Sequence, residues 1–348
     1  MKILFVKLGA IGDVVQAAIA LRCYQMQYPE HEVHWLTSSS LATFVRATGV
    51  ATKVIEIDEK KILSGPLIPR MLKLLAFSTE LGLNGEKYHR IATAYFDWRY
   101  RLLTLFSSPK HRISFGIGKR KINLMPHRNR VYEYFRLLSG KDADLNIDIA
   151  DAGHYIGKVL LDSTIRKEST QYLDALPKGY VVLLPGGAKN MLRTDDLRRW
   201  PVGNYRKIAE KLIDAGYAVV LAGGPGDTWV RSTFSDISHI DLIAETDLFE
   251  LLHLLQKAQC VLVHDTGPLH LTALTQAPLV SLFGPTPSNA FMPIARKDTI
   301  ILKTGNKVAC SPCYDGQNYA DCAKARCMDE LDVEQVWTSM SILLKDGR

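Results

Sequence analysis

The chain has 348 residues, 47% hydrophobic and 23% charged, with a formal net charge of +7. That length exceeds the roughly 250–300 residues one core usually serves and predicts two domains, while the composition excludes a disordered or fibrous chain. No uncharged apolar run approaches the ~18–20 residues of a membrane span and no signal-peptide pattern is read, so the expected compartment is the cytoplasm.

The first element is a buried strand, KILFVKL, running into "KLGAIGDVV" at residues 7–15. A strand, a glycine turn and a helix start usually make a phosphate cradle, yet Asp13 sets a carboxylate at its mouth. From Ile11 to Gln27 the spacing is helical, with Val14, Ala18 and Leu21 on one face. EVHWLTSS and KVIEID read as strands around a short helix, LATFVRAT; RIATAYFD and RISFGI follow a longer helical stretch. Between Lys110 and Arg130 stand seven Lys or Arg and two His with no acid. Lys119, Arg120 and Lys121 are the candidate contacts there for an anionic acceptor or a membrane headgroup, the alternative being a solvated basic face. No nucleic-acid signature accompanies the charge, and none is expected as a partner.

Past Asp162 the polar stretch STIRKESTQYLDALPKG reads as a linker, after which the alternation restarts. YVVLLPGG, AVVLAGGPGD, DLIAE, CVLVHDTG and APLVSLFGP are strands. NYRKIAEKLIDAG, LFELLHLLQKA and PLHLTALTQ are helices, the first closed by Gly216. Strands interleaved with helices imply mostly parallel sheets covered on both faces. Glycines and polar groups collect at the strand ends: Gly9 to Asp13, Gly186-Gly187, Gly223 to Asp227, Asp265 to Gly267 and Gly284 to Thr286. Open α/β sheets bind ligands there, so these turns suggest a nucleotide or nucleotide-sugar site. GxGxxG and the Walker lysine are both absent, which argues against a dinucleotide dehydrogenase and a P-loop NTPase.

"HDTGPLHLTAL", residues 264–274, carries the sharpest expectation. Thr266 can cap the helix that Pro268 begins, its N–H and that of Gly267 pointing at a phosphate, with Asp265 bracing the loop by accepting N–H groups. The alternative is a plain helix cap with His270 packed inside. This turn, with "PLVSLFGPTPS", "RRWP", "LAGGPGD" and the opening "KLGAIGDVV", resembles family 9 glycosyltransferases, the lipopolysaccharide heptosyltransferase family. The resemblance spans nearly the whole chain.

It implies an α/β fold of the GT-B class, two facing Rossmann-like doubly wound domains with a central cleft: residues 1–165 for the acceptor and 166–348 for the nucleotide sugar. It implies inverting transfer of a heptose from ADP-heptose to a lipopolysaccharide-core or related glycan acceptor, at the inner face of the cytoplasmic membrane. Asp13 takes the place of the family's proposed general base, with Gly12 permitting close approach; the alternative is that Asp13 only caps its helix. Gly186 and Gly187 match phosphate-contacting positions. Arg198 stands where members often carry lysine and would neutralise the departing diphosphate, with Arg199 beside it and Lys189 a rival. Asp227 matches the acid expected on the ribose, Thr246 would sit near the adenine edge, and Asp265, Thr266, Gly267 and His270 complete the nucleotide contacts. The alternatives are another nucleotide-sugar donor, or a catalytically silent binding or assembly protein of the same fold.

Four of six cysteines, Cys310, Cys313, Cys322 and Cys327, follow the spacing C-x2-C-x8-C-x4-C in a loop-like segment. In a cytoplasmic protein that spacing favours a structural zinc or iron over disulfides, the alternative being reduced thiols in a packed loop; no catalytic metal is expected.

Overall fold

The computed structural model describes residues 1–64, 66–84, 86–116, 121–125, 127–140, 148–163, 170–187, 196–292, 294, 296–316 and 318–346. The chain divides into two compact units, Met1–Val159 and Leu160–Arg348.

In the N-terminal unit six parallel strands, β1 (Lys2–Val6), β2 (Glu32–Ser38), β3 (Lys53–Ile57), β4 (Arg90–Thr93), β5 (His111–Phe115) and β6 (Lys121–Ile122), pair in the order β3-β2-β1-β4-β5-β6. Helices lie between strands because each parallel crossover needs one. The helix Ile11–Gln27 follows β1 and packs against the helix Arg130–Ser139. Eleven of its residues from Gly12 to Tyr24 are buried, too many for a single stripe, because sheet and neighbouring helix cover different sides of it. Each fully buried Val, Leu or Ile there contributes about 1.5–3 kcal/mol. Asn129 caps the partner helix by accepting the Val131 N–H, and Gly140 ends it in the left-handed region (φ 74°).

The C-terminal unit repeats the plan. β7 (Val181–Leu184), β8 (Val219–Gly223), β9 (Ile240–Ile243), β10 (Cys260–His264), β11 (Leu279–Phe283) and β12 (Thr299–Lys303) pair in parallel as β12-β11-β10-β7-β8-β9. In each sheet the order reverses beside the first strand, between β1 and β4 and between β7 and β10; doubly wound sheets bind ligands at that point. The helix Val202–Asp214 begins after Pro201 and ends at Gly216, whose φ of 84° only glycine adopts freely. Trp200 is buried against Tyr205 (ring centroids 5.1 Å), and its Nε1–H donates to the Leu331 carbonyl at 3.0 Å. Met328 and Leu331 join the same core, as do Cys260 and Cys327.

β6 and β12 were absent from the sequence reading. β6 has two residues, too few to show a pattern, and β12 is an edge strand with three half-exposed positions. Much of the polar stretch after Asp162 lies outside the described residues; its end forms a short 3-10 turn, Gln171–Ala175.

Candidate functional site

In the N-terminal unit the chemistry gathers at the end of β1. Asp13 stands in the first turn of the helix Ile11–Gln27, whose N-cap is Ala10. Its carboxylate turns sideways: Lys7 Nζ meets Oδ2 at 2.8 Å, and the Tyr134 hydroxyl donates to Oδ1 at 3.0 Å. Those bonds account for its position better than a capping role does. The Lys7 side chain is 2% exposed and lies 5.0 Å from the Tyr95 ring centroid, whereas Asp13 keeps 35% of its side chain open. The carboxylate is thus held at both oxygens and still partly open to solvent. Burial alone would raise the Asp13 pKa, but Lys7, the Tyr134 hydrogen bond and buried Arg130 together outweigh it and hold the carboxyl below its usual range. Gly12 is buried in the same turn.

Lys7, Tyr134 and Glu59 were not singled out from sequence. Lys7 could have been, since it opens the quoted stretch; the other two come from distant segments. Glu59 begins the short helix Glu59–Leu63, and its Oε2 lies 3.9 Å from where a Cβ on Gly9 would sit. Burial raises its pKa against the pull of Lys7 and Arg99, so the two carboxyls near this turn are pushed in opposite directions. Opposite shifts of neighbouring acids mark candidate acid and base positions.

The sign of the Asp13 shift fixes a pH dependence. A depressed folded pKa means the carboxylate, and the stability it contributes, persists above about pH 4 and is lost only as pH falls through the lowered value. Were Asp13 to accept a proton in the reaction, the acid limb of activity would lie below the usual carboxylate range. Lys7→Met leaves burial less opposed, so the limb should move to higher pH, with a smaller move for Tyr134→Phe. pH–rate profiles of the three proteins check this; superimposable profiles would detach Lys7 from Asp13.

The basic segment is not one solvated face. Arg130 is buried near Asp13, and Arg112 is half-buried, donating to the Thr104 hydroxyl and to the Thr104 and Ser107 carbonyls. Lys121 lies in β6 with its aliphatic stem under Gly116; Lys119 and Arg120 lie outside the described residues.

In the C-terminal unit the turns after β7, β8 and β10 interlock. Asp227 is buried, Oδ1 accepting the Gly187 N–H at 2.7 Å and Oδ2 the Gly224 N–H at 2.8 Å. Both oxygens are thus engaged by backbone, stapling the turns after β7 and β8. A Cβ on Gly186 would fall 2.3 Å from Asp227 Cγ, and one on Gly187 (φ 87°) 3.0 Å from the Thr266 side chain. Arg199 donates to the Gly187 carbonyl from Nε (2.9 Å) and Nη2 (2.7 Å) and rests on the Trp229 ring.

Two expectations at the DTG turn need correction. Thr266 occupies the N-cap of the helix Gly267–Ala273 without a side-chain cap; its hydroxyl donates backward to the His264 carbonyl. Asp265 reaches side chains: Oδ2 accepts the Thr286 hydroxyl at 2.7 Å and faces Arg198 Nη1 at 3.5 Å. The acid thus ties the turn after β10 to that after β11 and aims an arginine, while its buried Oδ1 has no hydrogen-bond partner among the described residues. His264 is fully buried, bonded through Nδ1 to the Tyr205 hydroxyl, and burial pushes its pKa down to about 3, so it is neutral. His270 is buried in the helix Gly267–Ala273. Thr246 follows the end of β9, two residues after Ala244, which holds a left-handed φ of 65° and donates to the Gly223 carbonyl. A non-glycine residue in that conformation marks a constrained turn. Lys189 lies outside the described residues.

The cysteine segment folds onto the turn after β11. The N–H groups of Cys313 and Tyr314 both donate to the Pro285 carbonyl at 3.0 Å, and the Ser311 hydroxyl to the Gly284 carbonyl at 2.7 Å. Cys327 and Met328 pack where a Cβ on Gly284 would be. The Cys322 thiol donates to the Lys324 carbonyl at 2.8 Å, and Cys310 is exposed. As they stand, the described residues contain no group of three or more ligating side chains placed to hold a metal.

Over residues 89–324 the chain matches the model of glycosyltransferase family 9 (heptosyltransferase). It is 34% identical over 111 residues to lipooligosaccharide heptosyltransferase 2 of Haemophilus influenzae, covering 30% of this chain and 32% of that one. To lipopolysaccharide heptosyltransferase 2 of Escherichia coli K12 it is 30% identical over 146 residues, covering 39% and 42%. The matched stretch thus spans about a third to two fifths of the length of these two relatives. Among solved structures it is similar to E. coli ADP-heptose lps heptosyltransferase II (TM-score 0.69, 18% identity, 99% of both chains). It is also similar to E. coli heptosyltransferase WaaC with ADP-2-deoxy-2-fluoro heptose (TM-score 0.65, 17% identity, 100% of both). The bacterial iron-containing dodecameric glycosyltransferase TibC is a third (TM-score 0.57, 13% identity, 99% of this chain and 76% of that). At those identities the likeness is one of fold, the α/β architecture of the GT-B class with its two six-stranded parallel sheets. With the family model running from the start of β4 to beyond β12, this chain belongs to glycosyltransferase family 9, the heptosyltransferases.

Proposed function

We propose that this protein transfers a heptose from ADP-heptose to a hydroxyl of a lipopolysaccharide-core or related anionic glycan, inverting the anomeric carbon. The observation that carries the reading is the Asp13 carboxylate, ionised and oriented by Lys7 and Tyr134 at the end of β1, with an open side. The N-terminal unit would take the acceptor and the C-terminal unit the nucleotide sugar. As the acceptor oxygen bonds to the anomeric carbon, its O–H becomes acidic and the proton passes to Asp13. The anomeric C–O bond to the diphosphate breaks, and ADP leaves with the electron pair. A carboxylate of low basicity suffices, because the proton moves once the attacking oxygen has become acidic.

In the other unit the backbone N–H groups at Thr266 and Gly267, with the Gly186-Gly187 turn, suit the diphosphate. Arg198, aimed by Asp265, would meet the charge that grows on it. Lys189 is proposed as a rival for that charge, and Arg199, His270 and Thr246 as further contacts of the nucleotide. Thr266→Pro or Gly267→Val should lower ADP affinity about tenfold or more, by removing a donor or blocking backbone approach. Calorimetry giving unchanged affinity in both folded variants would contradict the phosphate assignment. Lys119, Arg120 and Lys121 are proposed to face the anionic acceptor.

We also infer that Cys310, Cys313, Cys322 and Cys327 hold one structural zinc or iron after local rearrangement. Burial pushes the Cys327 thiol up to about 11, and the other three cysteines push in the same direction. A cation would cancel that mutual repulsion. Protein purified without added metal should contain about one metal ion per chain, and chelation should lower thermal stability before catalysis. Metal well below one per chain, with all four thiols titrating freely in the native state, would overturn this.

A further inference from the structure

The helix Leu67–Leu83 of the N-terminal unit is apolar on two opposite sides. Leu74, Ser78 and Leu81 are buried inward. At about 100° per residue, Ile68, Leu72, Ala76, Thr79 and Leu83 share an opposite arc of about 80°. Ile68 is 73% exposed, Leu72 62% and Leu83 79%. An ordinary surface helix turns polar side chains outward. The apolar surface also continues sideways. The Phe106 N–H donates to Ser78 Oγ at 3.0 Å, and its carbonyl oxygen lies 2.7 Å from where a Cβ on Gly82 would sit, placing half-exposed Leu105 and Phe106 beside the helix. Exposed Trp98 belongs to the helix Trp98–Leu102, which packs against this one. Exposed apolar side chains gathered on and beside one helix mark an interaction site.

Charge identifies the occupant. Lys60, Lys61 and Lys73 are exposed around the N-terminal half, and Glu80 is the one acid on the helix. An apolar stripe with flexible cations at its flank suits anionic lipid: apolar groups enter the headgroup–acyl boundary and lysines extend to the headgroups. Among the described residues no helix is long and apolar enough to cross a membrane, so this one would lie flat. We propose that the outer face of Leu67–Leu83, with Leu105, Phe106 and Trp98, docks the N-terminal unit onto an anionic membrane surface. The reading of a lipid-borne acceptor explains what the docking is for, while the binding itself rests on this surface.

The test is co-sedimentation of the full chain with phosphatidylglycerol-containing vesicles and with pure phosphatidylcholine vesicles, without donor or acceptor, at low and high salt. Binding to the anionic vesicles, weakened by salt and absent with the neutral ones, is expected. Ile68→Ser with Leu72→Ser should lower the partition coefficient about tenfold or more, leaving the melting temperature and transfer to a delipidated, water-soluble acceptor unchanged. Lys60→Glu with Lys73→Glu should lower it too, through charge alone. No binding by the unmodified chain, or equal binding by the double serine variant, overturns the proposal. So does self-association that the serine variant abolishes without any vesicle binding, which would assign the face to a second copy. Failure of both proteins to act on the soluble acceptor would strike the proposed reaction and leave the vesicle result standing.

Discussion

Asp13→Asn should lower turnover by about 10²–10⁴-fold while ADP affinity and the fold are kept. The amide has the carboxylate's shape. With its oxygen toward Lys7 and its NH₂ toward the Tyr134 hydroxyl oxygen, it can still bond to both of Asp13's present partners, the Tyr134 bond reversing its direction. What is lost is the capacity to take a proton, so the deficit should fall on kcat with little change in the nucleotide-sugar KM. Single-turnover kinetics alongside ADP calorimetry separate these quantities. Near-normal turnover in a folded Asp13→Asn protein would remove the base role.

The second large effect is expected at Asp227. Asp227→Ala leaves the Gly187 and Gly224 N–H groups without their acceptor and opens a void between two turns. At about 1–3 kcal/mol for each buried donor left unsatisfied, roughly 2–6 kcal/mol of stability should be lost, and ADP affinity with it. Gly186→Ala attacks the same joint from the other side, because its Cβ would overlap the carboxylate carbon. Gly203→Ala is the control: it lies in the helix Val202–Asp214 with nothing within 4 Å of the added Cβ, so about 0.5–1 kcal/mol of stabilisation is expected. Thermal melts of all three, read beside ADP titrations, check the ranking. Asp227→Ala as stable as the unmodified chain would contradict the staple.

Much of this was legible in the sequence because the strongest signals are local. The helix Ile11–Gln27, the end of the helix Val202–Asp214 at Gly216 and the glycine turns after β7 and β8 each follow from residues adjacent in the chain. Joints between distant segments were not legible. Tyr134 lies 121 residues from Asp13, and Asp227 lies 40 from Gly187, so hydrophobic periodicity says nothing of either pairing. At Asp227 the motif marks an acid at the turn but says nothing of the two backbone N–H groups its oxygens accept. Arg112 and Arg130 illustrate the same limit for charge, since a basic run looks solvated until the fold half-buries one of its members and buries another.

The measurement that bears most directly on the central claim is a transfer assay with ADP-heptose and a heptose-deficient core glycan. ADP release should match glycan product mole for mole, and the new linkage, read by NMR, should have the anomeric configuration opposite to the donor's. A retained configuration, or no product with ADP-heptose while another nucleotide sugar is turned over, would contradict it.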